Sequence, residues 1–339
     1  MEITIKDIAN RVGVAPSTVS RALNNKGGVS EKTRGVILDI AKELGYVPNV
    51  AARGLAMKRT ENLGFLINRR QSLDPGTFYG EIMEGIEAVA RDRGYHLIFS
   101  TNGSETLPTV IQEKRVDGLI LAGCDIKKNL ILSLKRKGIP LVLVDNHLDK
   151  VDSVATDNVN GAYEAVERLI SLGHQRIGFI AERFNDLSFS ERFEGYKLAL
   201  EDHDLRYDED LVAEGVMGPD CGYVAMRRLL EKGVPTAVFA ANDEAAAGAI
   251  RAIKGAGFRV PDEMAVVSFD DGLIALHTEP LLTTMRVFRK RMGMVAAGRL
   301  IELIADPDQP SAQIKLSTQL IVRGSCGSPE EERVLSESR

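Results

Sequence analysis

From Asn62 onward the chain alternates short apolar runs with stretches in which apolar residues recur every three or four positions. The runs are LGFLIN, YHLIFS, VDGLILAG, IPLVLVDN, RIGFIAE, TAVFAAN and MAVVSFDD. Near-continuous apolar strands separated by helical patterns predict parallel sheets covered by helices on both faces. Seven such runs exceed one doubly wound half. The pattern therefore predicts an α/β body of two doubly wound parallel-sheet subdomains, with the chain crossing between them near Asp157 and Phe288.

The first fifty residues carry a different pattern. Ile5, Ile8, Ala9 and Val12 form one helical stripe, and Gly13 follows as a stop, which predicts a helix over roughly residues 5 to 12. Pro16 suits the first turn of a second helix, where its missing N–H costs nothing. In that helix Val19, Ala22 and Leu23 point inward, leaving Ser17, Thr18, Ser20 and Arg21 on the other face. Ser30 caps a third helix whose Ile37, Ile40, Ala41 and Leu44 make another stripe ending at Gly45. Two helices joined by a tight glycine turn and braced by a third form a helix-turn-helix, whose second helix fits the major groove of DNA.

Charge supports the same division. The net charge of -5 over 339 residues splits into +5 for residues 1 to 60 and -10 for the remainder. A basic head on an acidic body implies that the head alone meets a polyanion. The amino terminus, MEITIKDIAN, has no apolar signal region, and no run approaches the ~18 uncharged apolar residues of a membrane span. A soluble, cytoplasmic protein without membrane partners is expected. Cys124, Cys221 and Cys326 are odd in number, far apart and without CxxC spacing, so neither a disulfide framework nor a zinc site is indicated.

Polar residues gather where the predicted strands end: Asn68, Asp145 with Asn146, Glu182, Asn242 with Asp243, and Asp270 with Asp271. In open α/β sheets ligands bind outside those ends, so two facing sheets would line one cleft. Asp243 and Asp271 are the first candidates for helix caps among them. His147 follows VLVDN closely enough to reach the cleft, whereas His174 in LGHQRI reads as a structural turn residue. Phe78, Tyr79, Phe184 and Phe189 offer apolar faces for a ring, and Trp is absent. No GxGxxG or GxxxxGK[ST] follows any run, so no cofactor site is expected. Nor is a catalytic or metal site. Asp270 and Asp271 are adjacent at a strand end and point apart, whereas glycosidase carboxyls converge, and no GxSxG elbow or metal-spaced His pair is present.

The segments TIKDIANRVGVAPSTVSRALNN and VSEKTRGVILDIAKELGYVPNVAARGLAMKRTENLGFLI closely resemble the DNA-binding head and hinge of the lactose and purine repressor family. The resemblance continues through DGLILAG, PLVLVDN, LGHQRIGFI, ERFEGYKLAL, AVFAANDEAAAGAI, VVSFDD and QLIVRGS, nearly the whole chain. It implies a homodimeric repressor that binds palindromic operator DNA, lies on the nucleoid when bound, and is controlled by a small effector, most simply a sugar. It also implies a periplasmic-binding-protein-like body and a division into a head at 1–48, a hinge helix at 49–60 and an effector and dimerisation domain at 61–327. Within that domain subdomain 1 is expected at about 61–157 with 288–318, and subdomain 2 at about 158–287 with 319–327. Residues 328–339 are expected to form a disordered tail.

By the same resemblance Pro16, Ser17 and Arg21 read major-groove bases. Arg21 suits a bidentate contact with guanine, a pairing that discriminates by ~1–3 kcal/mol. Thr4, Ser20, Asn24, Ser30, Thr33 and Asn49 look like phosphate contacts, which fix register. Ala51, Arg53 and Leu55 belong to the hinge, with Leu55 as the wedge that kinks the minor groove. Arg192, Asn242 and Asp270 match effector-holding positions, joined in the expected cleft by Asn68, Phe78, Asp145, His147, Phe184 and Phe189. The chain departs from the family between LIFSTN and VDGLILAG, where GSETLPTVIQEKR replaces a longer acidic segment and helix. An alternative from another class is a cytosolic sugar-binding or sugar-processing α/β protein with an incidental basic head.

Overall fold

The structure, a computed structural model, describes residues 3–24, 27–46, 59–68, 71–102, 108–184, 186–216, 218 and 220–327. Asn49, Ala51, Arg53 and Leu55 of the expected hinge helix, and the tail at 328–339, lie outside the described residues. The chain divides into two compact units, residues 1–60 and 61–339.

In the first unit the predicted stripes become three helices: α1 (Ile5–Val12), α2 (Pro16–Leu23) and α3 (Glu31–Glu43). Asp7 reaches back to accept from the Thr4 N–H at 2.8 Å and its hydroxyl at 2.7 Å, closing the first turn of α1. Gly13 ends that helix in the left-handed region at φ 78°, which only glycine enters cheaply. Pro16 opens α2, and Ser30 Oγ accepts from the Thr33 N–H at 3.2 Å to cap α3. Ile8, Ala9, Val19, Ala22, Ile37 and Ala41 form the core. Arg34 on α3 donates to the Ala22 carbonyl at 2.9 Å, tying α3 to the end of α2.

The second unit begins with β1 (Asn62–Asn68), α4 (Phe78–Asp92), β2 (His96–Asn102), α5 (Thr109–Gln112), β3 (Gly118–Ala122), α6 (Lys128–Arg136), β4 (Leu141–Val144) and β5 (Asp152–Thr156). It continues with α7 (Asn158–Ser171), β6 (Ile177–Ala181), α8 (Leu187–Asp202), β7 (Val212–Glu214), α9 (Cys221–Lys232), β8 (Ala237–Ala240), α10 (Asp243–Gly255), β9 (Ala265–Asp270) and β10 (Thr283–Arg286). It closes with α11 (Arg289–Ala305), β11 (Gln313–Leu316) and β12 (Gln319–Ile321).

These strands form two six-stranded sheets, in the orders β11-β5-β4-β3-β1-β2 and β12-β10-β9-β8-β6-β7. Among the described residues every strand pairing is parallel except that of β12 with β10. The chain passes from one sheet to the other after β5, after β10 and between β11 and β12. Central strands such as β3, β4, β6 and β8 are buried throughout, which explains their unbroken apolar runs.

Helices cover the sheets at close range because glycines allow their backbones to meet. A Cβ on Gly85 of α4 would stand 2.0 Å from the Lys290 carbonyl of α11, and one on Gly293 would stand 2.0 Å from the Ile82 carbonyl. Gly293→Ala should therefore force these helices apart and cost about 1–3 kcal/mol in urea denaturation. Gly35 lies in α3 with nothing near a Cβ, so Gly35→Ala should stabilise the first unit by about 0.5–1 kcal/mol. A neutral Gly293→Ala or a destabilising Gly35→Ala would contradict this reading of the packing.

Candidate functional site

On the head, α2 buries Val19 and Ala22 and leaves Pro16, Ser17 and Arg21 exposed. Ser17 and Arg21 are four residues apart and therefore share a face. Several of the expected phosphate contacts also serve local structure. The Thr4 hydroxyl donates to Asp7, Ser30 and Thr33 share a hydrogen bond at 2.8 Å, and Asn24 Nδ2 donates to the Ser20 carbonyl at 2.8 Å. These bonds hold the starts of α1 and α3 and the end of α2.

In the body, the ends of β8 and β9 and the helices α7 and α8 converge on Arg192, which is 3% exposed. Its Nε donates to Asn158 Oδ1 at 2.9 Å and its Nη1 to the Ala241 carbonyl at 2.5 Å. The guanidinium lies 3.9 Å from the centre of the Phe269 ring and 5.8 Å from that of Phe189. Its Nη2 stands 3.1 Å from Asp270 Oδ1 as an ion pair. Arg192 thus holds the carboxylate by charge and by a side-chain hydrogen bond. Burial pushes the Asp270 carboxyl up, against the opposing pull of Arg192 and Arg289.

Asp270 has φ 111° and Asp271 φ 51°, so the strand ends in a turn that turns the two carboxylates apart. Asp271 faces Arg286 Nε at 2.7 Å and Arg323 Nη2 at 2.6 Å, and these bonds hold its carboxyl below the usual range although burial opposes them. The expected capping roles need correction. Asn242 is the cap of α10, its Oδ1 accepting from the Ala245 N–H at 2.9 Å. Asp243 is buried and serves the β9 turn instead, while Asp271 belongs to the arginine cluster. Strand geometry explains the exchange, because Asn242 alone has the extended backbone of a residue entering a helix.

A second cluster joins the two sheets' loops. Asp145, following β4, accepts from Tyr79 of α4 at 3.0 Å and from Ser188 of α8 at 2.8 Å. Beside it the Cys124 thiol donates to Asp186 at 2.7 Å, and Asp186 caps α8 by accepting from the Ser188 N–H at 3.1 Å. Burial pushes the Cys124 thiol up, with Asp186 adding to the effect. Arg289 makes a third link, to Glu81 of α4 at 3.3 Å and to the Asp271 carbonyl at 3.0 Å. Ser188, Asp186, Asn158 and Arg289 escaped the sequence reading. Only the Asp-x-Ser spacing of Asp186 and Ser188 offered a signal, as a helix start.

The other expected cleft residues divide. Phe78 packs edge-on to Tyr79 with ring centres 5.1 Å apart, and Phe189 flanks Arg192. Phe184 stacks on Phe193 at 5.3 Å and on Phe179 at 5.9 Å, which makes it part of the aromatic core of the second subdomain. His147 Nε2 meets Asp149 at 3.3 Å on an exposed loop. Asn68 ends β1, and its carbonyl accepts from the Gln71 N–H at 3.0 Å. Glu182 accepts from the Gly218 N–H at 3.1 Å. His174 takes the expected turn role, with Nδ1 3.2 Å from the Thr236 hydroxyl.

A three-helix head with an exposed second helix, joined in one chain to two doubly wound sheets, defines a helix-turn-helix transcription regulator with a ligand-type body. Comparison with known proteins identifies the family. Residues 4–49 match the bacterial regulatory proteins of the lacI family, and residues 166–326 match a periplasmic binding protein-like domain. The chain is 35% identical over 332 residues to the HTH-type transcriptional regulator CelR of Thermobifida fusca, covering 95% of this chain and 98% of the relative. Among solved structures, a transcriptional regulator CelR–cellobiose complex is 33% identical with a TM-score of 0.73, covering 96% of this chain and 100% of the other. The lac repressor dimer bound to operator and the anti-inducer ONPF is 27% identical with a TM-score of 0.81, covering 97% and 100%. The chain belongs to the lacI family and is a DNA-binding transcription regulator, which sets aside the sugar-processing alternative. No helix among the described residues is long and apolar enough to cross a membrane.

Two buried acids also set a pH response. Burial, with Asp186 adding, pushes Asp145 from 3.8 up to about 6, although the bonds from Ser188 and Tyr79 oppose this. Burial likewise pushes Asp243 up to about 7, helped by Asp270. A carboxyl raised in the folded state favours folding most below its unfolded value, and that contribution is lost as pH rises through the folded one. The Tm of the full chain should therefore fall between pH 5 and pH 8, and Asp145→Asn should flatten the decline. A Tm that rises over this interval in the wild-type chain would contradict the assignment.

Proposed function

We propose that this regulator is a homodimeric repressor that binds a palindromic operator and is gated by a small hydroxyl-rich effector, a sugar or sugar derivative, held at Asp270 and Arg192. The observation that carries the effector reading is the pairing of the Asp270 carboxylate, at the end of β9, with the buried Arg192 at 3.1 Å, which sets a charged acceptor and a donor side by side where the strands end. A carboxylate has lone pairs beyond those that face Arg192, and a sugar hydroxyl donates to them in a charge-assisted bond. Asn242 keeps its Nδ2 for a ligand oxygen, since only its Oδ1 is used in capping. Phe189, 5.8 Å from the Arg192 guanidinium, offers an apolar face beside it, and Phe78 is assigned a second face of the cleft. The CelR complex with cellobiose and the lac repressor dimer on its operator support the same reading for this relative.

On DNA, Pro16, Ser17 and Arg21 read base edges while Thr4, Ser20, Asn24, Ser30, Thr33 and Asn49 position the phosphates. Ala51, Arg53 and Leu55 enter the minor groove from the hinge. Residues 1–48, 49–60 and 61–327 serve as head, hinge and effector domain, and the protein works in the cytoplasm on the nucleoid.

A thermal-shift screen of neutral sugars and sugar phosphates on the full chain tests the effector reading, because a ligand that binds only the folded state raises Tm. Asp270→Ala should weaken the best sugar about ten- to hundredfold while leaving ligand-free operator affinity within about twofold. Unchanged sugar affinity would remove Asp270 from the site.

For the head, Arg21→Ala should relax preference at one base pair by ~1–3 kcal/mol, read by anisotropy on a set of operator variants. Operator affinity should also fall linearly with salt on logarithmic axes. Equal loss on operator and random DNA, or a flat salt response, would count against the head's assignment.

A further inference from the structure

We infer that Asp243 is a positioning residue for the effector site: its buried carboxylate holds the turn that aims Asp270 at Arg192 and the cleft. The inference rests on the effector reading above. Asp243 lies at the first turn of α10 and is 1% exposed. Its Oδ1 accepts from the hydroxyls of Ser268 at 2.5 Å and Thr284 at 2.6 Å, and its Oδ2 accepts from the Gly272 N–H at 2.6 Å. One carboxylate thus grips β9, β10 and the loop leaving β9.

Between Ser268 and Gly272 lie the residues that matter. Phe269 presents its ring to Arg192, and Asp270 and Asp271 both take positive φ; Asp enters the left-handed region at 51° more readily than most residues, but φ 111° at Asp270 is a backbone that its surroundings must hold. Asp243 enforces it in two ways. It fixes the far end of the turn directly through Gly272. It also works through Thr284, whose Oγ1 donates to Asp243 and accepts from the Asp271 N–H at 3.3 Å. With Asp243 present the Thr284 hydroxyl hydrogen is committed to the carboxylate, so a lone pair faces the Asp271 amide. Removing Asp243 frees that hydroxyl to rotate and releases both amides of the turn. The arginines around Asp271 grip its side chain and carbonyl, so they leave the amides of Asp271 and Gly272 to Asp243 and Thr284.

A purely structural role, in which Asp243 only favours the start of α10 as an acid at a helix N-terminus, makes a different prediction. Hydrogen exchange on the full chain separates the two. Asp243→Ala should speed exchange at Asp271 and Gly272 by about tenfold or more while amides 244–250 of α10 stay within about threefold of wild type. Asp243→Asn should keep Gly272 within about threefold of wild type, because its carbonyl can still accept from that amide, while Asp271 exchanges faster, because the NH2 turns the Thr284 hydroxyl around. Thr284→Val, which removes only the relay, should release Asp271 and spare Gly272, and it serves where Asp243→Ala does not fold. A change confined to α10, a change spread evenly over the β6–β9 sheet, or an unaltered turn in both Asp243→Ala and Thr284→Val would overturn the inference. This readout needs no sugar. Absence of any stabilising sugar would remove the effector reading, whereas loss of the exchange pattern would remove the role of Asp243.

Discussion

A buried guanidinium organises the effector half of this molecule. A charged group taken out of water is tolerated only when its donors are used and its charge is balanced. Arg192 meets that demand with the Asn158 side chain, the Ala241 carbonyl, the Asp270 carboxylate and the Phe269 ring. These partners come from α7 and from the ends of β8 and β9, so satisfying one side chain brings three parts of the fold to one point. The same pairing leaves the Asp270 carboxylate with further lone pairs at the strand ends, and a ligand hydroxyl is a natural donor to them.

The rest of the body is arranged around that point. Three crossings join the two sheets, and Asp145 with Ser188, Cys124 with Asp186, and Arg289 with the Asp271 carbonyl bond across the gap, while Tyr79 and Glu81 brace Asp145 and Arg289 from the first sheet's side. Any change in the angle between the sheets must break or exchange some of these bonds. A ligand that bonds Asp270 from the gap therefore biases the sheets by its differential affinity for their arrangements, which is the requirement for gating.

Much of this was legible in the sequence, for identifiable reasons. The head's helices follow from stripes at 3, 4 and 7 spacing and from Gly13, Pro16 and Ser30 as punctuation, and they appear with those bounds. The central strands announced themselves because burial on both faces demands unbroken apolar runs. The strands β5, β7, β10, β11 and β12 did not, being three to five residues long and rich in polar side chains such as those of DSVAT and TTMR. Arg192 and Asp270 were found through resemblance and are brought together. The exchange of roles between Asn242 and Asp243 was illegible because adjacent polar residues at a strand end look alike until the backbone shows which one enters the helix. Ser188 and Cys124 meet partners more than forty residues away, and a local pattern carries no trace of such pairings.

A sugar hydroxyl that donates to the Asp270 carboxylate beside Arg192 is what this description of the effector site requires. A crystal structure of the full chain with the most strongly stabilising sugar tests it most directly. The expected result is a sugar hydroxyl within hydrogen-bond distance of the Asp270 carboxylate, with Arg192 still bonded to Asn158 and the Ala241 carbonyl. A sugar bound away from both Asp270 and Arg192 would contradict it.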